Sequence, residues 1–137
     1  MSADRVRDGH RIAELLASEL ESGASPDALA VIDADPEVEP VPEGALAYRV
    51  RDTAADEEIA AVYVQPDRAH VEFSVAPAAV AETAEAEGLR ARPKAAHPPQ
   101  TIVFVEDGAQ AKWILPAFET ALAGDGTDGN AFSEGAG

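Results

Sequence analysis

The sequence contains no cysteine. That removes a disulfide framework, a thiolate nucleophile and any cysteine-based metal site from consideration. Lysine is nearly missing too, since Lys94 and Lys112 are the only lysines among ten basic residues, against 26 Asp and Glu. Aromatic residues make up 5% of the 137 positions, so the 46% hydrophobic fraction rests largely on Ala and Val. A core of small side chains is expected. No apolar run approaches the roughly 20 residues of a membrane span. The opening MSADRVRDGHRIAELL interrupts with charge the apolar stretch that a secretory signal requires. The expectation is a cytoplasmic protein that has no membrane partner.

What is present in excess is negative charge, a net -16. Such a surface repels nucleic acid and anionic membranes, and at low ionic strength it repels itself. Molar salt shortens the Debye length to about 3 Å and removes most of that penalty. Abundant Asp and Glu with scarce Lys resembles the composition of cytoplasmic proteins from salt-accumulating halophiles. The length suits one domain with a single core. That domain is expected over residues 1–123, followed by a disordered Gly-rich tail over 124–137.

Periodicity points to an α+β domain. Residues 4–21 place Val6, Ile12, Ala13, Leu15, Leu16, Ala17 and Leu20 on one helical face, and Gly23 is a natural stop. Leu29 to Ile32 reads as a short strand leading into a Pro-rich acidic connector. ALAYRVRD alternates Leu46, Tyr48 and Val50 against Ala47, Arg49 and Arg51, while EIAAVYVQ is more continuously apolar. A turn at Pro66 and Asp67 then joins EIAAVYVQ to AHVEFSV, with Val71, Phe73 and Val75 inward and His70, Glu72 and Ser74 outward. APAAVAETAEAEG reads as a helix entered through Pro77 and ended by Gly88. LRARPK and TIVFVED read as two more strands. A closing helix follows, capped by Asp107, with Trp113, Ile114, Ala117, Phe118 and Ala121 inward and a kink or restart at Pro116. The predicted order is α-β-β-β-β-α-β-β-α, an antiparallel sheet of five or six strands with helices packed against it. This order resembles that of small acidic secretion-chaperone-like domains and, more loosely, of frataxin-like sheets. The likeness spans residues 4–123 and transfers no functional residue.

The scarce cations are not scattered. If Leu89 and Ala91 face the core, a period of two sends Arg90, Arg92 and Lys94 to the opposite face, where Arg49, Arg51 and His70 also belong. A positive stripe on a negative particle suits an acidic partner, a phosphate or another anion, because Arg forks bind such groups bidentately. The plainer alternative is a solvated face whose Arg residues pair with Glu72 and Glu106 across strands. Pro93, Pro98 and Pro99 with His97 form either a recognition loop or a simple connector.

Other patterns carry less. Asp33, Asp35, Glu37 and Glu39 lack the Gly and the bidentate Glu of a calcium loop, and Pro36 and Pro40 stiffen the segment. Gly124, Gly126 and Gly129 match the dinucleotide pattern G-x-G-x-x-G but follow a helix instead of opening one, so no cofactor is expected. His10, His70 and His97 lack the spacing of a shared metal, and no metal site is expected. The reading reached is a protein-binding or regulatory module, with Trp113 and Phe118 available to a homodimer. The alternative is an anionic-ligand-binding domain or non-redox enzyme, with Arg49, Arg51, Arg90 and Arg92 holding the anion and His70 as acid or base. Nucleic acid ranks last, because affinity for it falls steeply with salt.

Overall fold

Strand alternation builds the sheet, and amphipathic segments supply helices for one side of it. A computed structural model describes residues 8–22, 28–96 and 98–127. The elements are α1 (Gly9–Ser22), β1 (Leu29–Ile32), β2 (Ala45–Asp52), β3 (Glu57–Gln65), β4 (Arg68–Phe73), α2 (Pro77–Ala86), β5 (Ala91–Lys94), β6 (Gln100–Val105), α3 (Gln110–Trp113) and α4 (Leu115–Thr127). The chain is a single α+β domain with one antiparallel sheet of six strands in the order β1-β2-β3-β4-β6-β5. The predicted element order is therefore the observed one. Val6, Gly23, His97 and Gly129 lie outside the described residues.

The core lies between the helices and one sheet face. Ile12, Leu16 and Leu20 of α1, Val80 and Ala84 of α2, and Ile114, Phe118 and Ala121 form one buried cluster with Val50, Val62, Val71, Phe73 and Val103. Phe73 and Phe118 meet edge to face at 4.8 Å between ring centroids. At the start of α1 a close approach fixes the seating: a Cβ on Gly9 would lie 1.8 Å from the Gln65 carbonyl oxygen. The Gly9 N–H donates to the Pro66 oxygen at 3.3 Å, which ties α1 to the β3–β4 turn.

Two expectations need correction. Strict alternation in β2 fails because two of its residues oppose one of β3 between Leu46 and Tyr48. This bulge leaves Leu46 opposite Tyr63, away from the core, while Ala47 is buried in the cluster beside Tyr48. Trp113 does not face inward and is 43% exposed. The reason is the restart at Pro116: α3 ends at Trp113 and α4 begins at Leu115, so a single helical phase does not run through both. Asp107 accepts the Gln110 amide at 3.1 Å, at the entry to α3. Gly124 and Gly126 fall within the backbone of α4, which continues to Thr127.

Candidate functional site

Arg49, Arg51, His70, Arg90, Arg92 and Lys94 are brought to the sheet face that the helices leave uncovered. Cross-strand register sets the layout, with Arg49 opposite Ala61, Ala61 opposite Glu72, Glu72 opposite Ile102 and Ile102 opposite Arg92. The next row holds Tyr63, His70 and Phe104. Ala61 is buried yet outside the core cluster, as the period of two requires.

The basic residues divide into two groups. On the β1–β2 side, Arg49 contacts Glu58 at 3.1 Å and Asp33 at 3.6 Å, and Arg51 is hydrogen-bonded to Asp56. On the β4–β6–β5 side, three guanidiniums gather on one ring: Arg68, Arg90 and Arg92 lie 4.9, 5.2 and 6.0 Å from the Phe104 centroid. Arg68 and Arg90 share a single Glu106 oxygen at 3.3 and 3.2 Å. Arg92 is exposed and makes no ion pair among the described residues. Lys94 donates to Glu72 at 2.9 Å, and that bond raises the pKa of its ammonium.

His70 is on this face but is not open to solvent, being 7% exposed. Tyr63 stacks on it at 5.1 Å, and Phe104 meets it edge-on at 6.2 Å. The turn before β2 closes over it, so a Cβ on Gly44 would lie 2.7 Å from the ring. The Gln65 amide fixes the tautomer. Its nitrogen donates to the Pro42 oxygen at 2.7 Å, which aims its own oxygen at His70 Nδ1, 3.1 Å away. Nδ1 therefore carries the proton, and Nε2 faces Glu72 at 3.5 Å. Burial lowers the imidazole's pKa below its ordinary value, with Glu72 pulling the other way. Burial likewise raises the pKa of the Tyr63 phenol.

Two recesses meet at Arg92. One is lined by Glu43, Gln65, Arg68, His70, Glu72, Arg92, Ile102 and Phe104. The other runs along Arg90, Arg92, Leu89, Glu85 and Phe104. Arg49 and Arg51 line neither, so the four arginines do not close on one pocket. A third concavity, open to solvent, separates α1 from the β1–β2 connector and is mainly apolar. Its buried hydroxyl, that of Tyr48, already donates to the Ala13 carbonyl at 2.8 Å. His10 bridges its rim to the Pro36 oxygen at 2.9 Å. In the acidic connector, Asp35 caps its own turn through the Glu37 amide. No cluster of three or more His, Asp or Glu able to hold a metal ion exists among the described residues.

Arg68 and Phe104 are the important residues that the sequence reading missed. Arg68 shares the parity of His70 and Glu72, so the same alternation would have placed it on this face. Phe104 is hidden in TIVFV, whose unbroken apolar run does not announce which side faces out.

The chain belongs to the family of unknown function DUF7993, which residues 1–134 match. No curated protein and no solved structure matches the chain. No helix among the described residues is long and apolar enough to cross a membrane.

Proposed function

We propose that the protein is a protein-binding module whose contact surface is the uncovered sheet face, acting in the salt-rich cytoplasm of a halophile. One observation carries this reading. A chain of net charge -16 gathers Arg49, Arg51, Arg68, Arg90, Arg92 and Lys94 on one face and sets Tyr63 and Phe104 among them. Protein contacts are enriched in Arg and aromatic side chains, and long-range repulsion between acidic proteins is weakest where the local charge is balanced. Asp33, Asp56, Glu58, Glu72 and Glu106 nearly neutralise the six cations, so this is a face that another acidic protein can approach.

Affinity capture from host lysate in molar KCl tests the proposal, with wild type compared against Arg90→Ala/Arg92→Ala/Lys94→Ala after nuclease treatment. Wild type should recover a discrete protein that the variant loses, and the purified protein should rebind. Equal recovery by both forms would overturn the assignment of this face.

A further inference from the structure

We infer that the Arg68, Arg90 and Arg92 cluster around Phe104 binds the carboxylates of an acidic protein segment. This rests on the reading of the uncovered face as a protein contact, and it names what that contact recognises.

The charge arrangement is the first support. Arg49 and Arg51 have between them the carboxylates of Asp33, Asp56 and Glu58. Around Phe104 there are three guanidiniums, of which Arg68 and Arg90 contact one carboxylate, that of Glu106, through the same oxygen. A sequence with 26 acidic residues had ample means to neutralise this cluster internally. It instead leaves Arg92 exposed and without an ion pair among the described residues. Like charges held this close repel each other until an outside anion joins them.

Shape is the second. Arg92 and Phe104 line both recesses. A guanidinium held over an aromatic face keeps N–H groups at its edge, where a carboxylate can accept two of them. An extended segment laid over β6 and β5 would set acidic side chains beside Arg92 and apolar ones against Ile102 and Phe104. Backbone pairing is not the mode: β5 is an edge strand, and Pro93 at its centre removes a donor from that edge.

The carboxylate fits better than a phosphate. Glu43 and Glu72 line the recess that holds Arg68 and Arg92, and two acidic walls repel a dianion more than a monoanion. Lys94, the cation best suited to a compact phosphate, is already bonded to Glu72.

The test is an NMR titration of the full-length 15N-labelled protein in molar KCl. The ligands are a short peptide of alternating Glu and Ser, its Gln counterpart, inorganic phosphate and oligouridylate. The Glu peptide should shift the amides of β5 and β6 and the side-chain signals of Arg90 and Arg92. Arg92→Gln should bind about tenfold more weakly, the loss of one charge-assisted contact, and the Gln peptide, which has no carboxylate side chain, more weakly still. Arg11→Gln, on α1 and away from this face, should bind as wild type does. Absence of shifts, equal binding of the Gln peptide, or indifference to Arg92→Gln would overturn the inference. Tighter binding of phosphate or oligouridylate than of the Glu peptide would also overturn it. If the peptide fails while the capture experiment still recovers a protein that the triple variant loses, the protein contact stands and carboxylate recognition falls.

Discussion

The two faces of the sheet are made from the same strands by opposite chemistries. Toward the helices, β2, β3, β4 and β6 present Val50, Val62, Val64, Val71, Phe73, Val103 and Val105, all fully buried. Toward the open side the intervening positions are Arg49, which pairs with Glu58, and Tyr63, His70, Glu72 and Phe104, joined by the His70–Glu72 contact and ring contacts. The first face is held by area removed from water, and the second by polar groups that satisfy each other near water. Stability should therefore reside in the first face and recognition in the second. Matched substitutions can separate the two.

The largest contrast is between two phenylalanines. Phe73→Ala empties the contact with Phe118 in the core and should cost about 3–5 kcal/mol in denaturant unfolding. Phe104→Ala removes a partly buried ring from the open face and should cost well under half as much. Comparable losses would mean that the open face is a second core, and the proposed division of labour would fail. A smaller effect is expected at the seam, where the turn before β2 laps onto the open face. Gly44 has φ +98°, and a Cβ there would lie 2.7 Å from His70 and 3.2 Å from the Tyr63 Cβ. Gly44→Ala should therefore cost about 1–3 kcal/mol, read by thermal unfolding.

Smaller again is the contribution of His70 titration. Its folded pKa lies below its ordinary value, so the neutral ring is the form that the fold prefers. The associated stability is present above the unfolded pKa of about 6.5 and is lost as pH falls through the folded value. His70→Gln should flatten this acid limb relative to wild type. An unchanged limb would show that His70 charges freely in the fold, against its packing under Tyr63 and the turn at Gly44.

Period-two alternation was enough to place Arg49, Arg51, Arg90, Arg92 and Lys94 together, because each lies beside apolar residues of opposite parity. Alternation failed where a backbone event intervened. The bulge between Leu46 and Tyr48 moved Leu46 off the core side, and no turn residue in ALAYRV marks it. The burial of His70 was equally hidden, since it depends on a turn more than twenty residues earlier folding over the ring. The difference between Arg92 and its paired neighbours is a matter of tertiary distance. Parity assigns a face; it does not say which carboxylates reach it.

The smallest expected effect is the most discriminating. An exposed arginine in a working ion pair contributes between nothing and about 1 kcal/mol, so Arg51→Gln, which gives up Asp56, should be slightly destabilising. Arg92 has no such pair among the described residues, and the two other guanidiniums held over Phe104 are also arginines. Removing its charge relieves repulsion and forfeits one weak ring contact at 6.0 Å. Arg92→Gln should then leave stability within about 0.5 kcal/mol of wild type, or raise it, in low-salt unfolding where screening is least. A residue that the fold would do as well without, yet whose loss weakens binding about tenfold, is retained for what it contacts outside the chain. If Arg92→Gln instead destabilises the fold by more than Arg51→Gln does, Arg92 has a structural partner, and the case for an external carboxylate loses its strongest support.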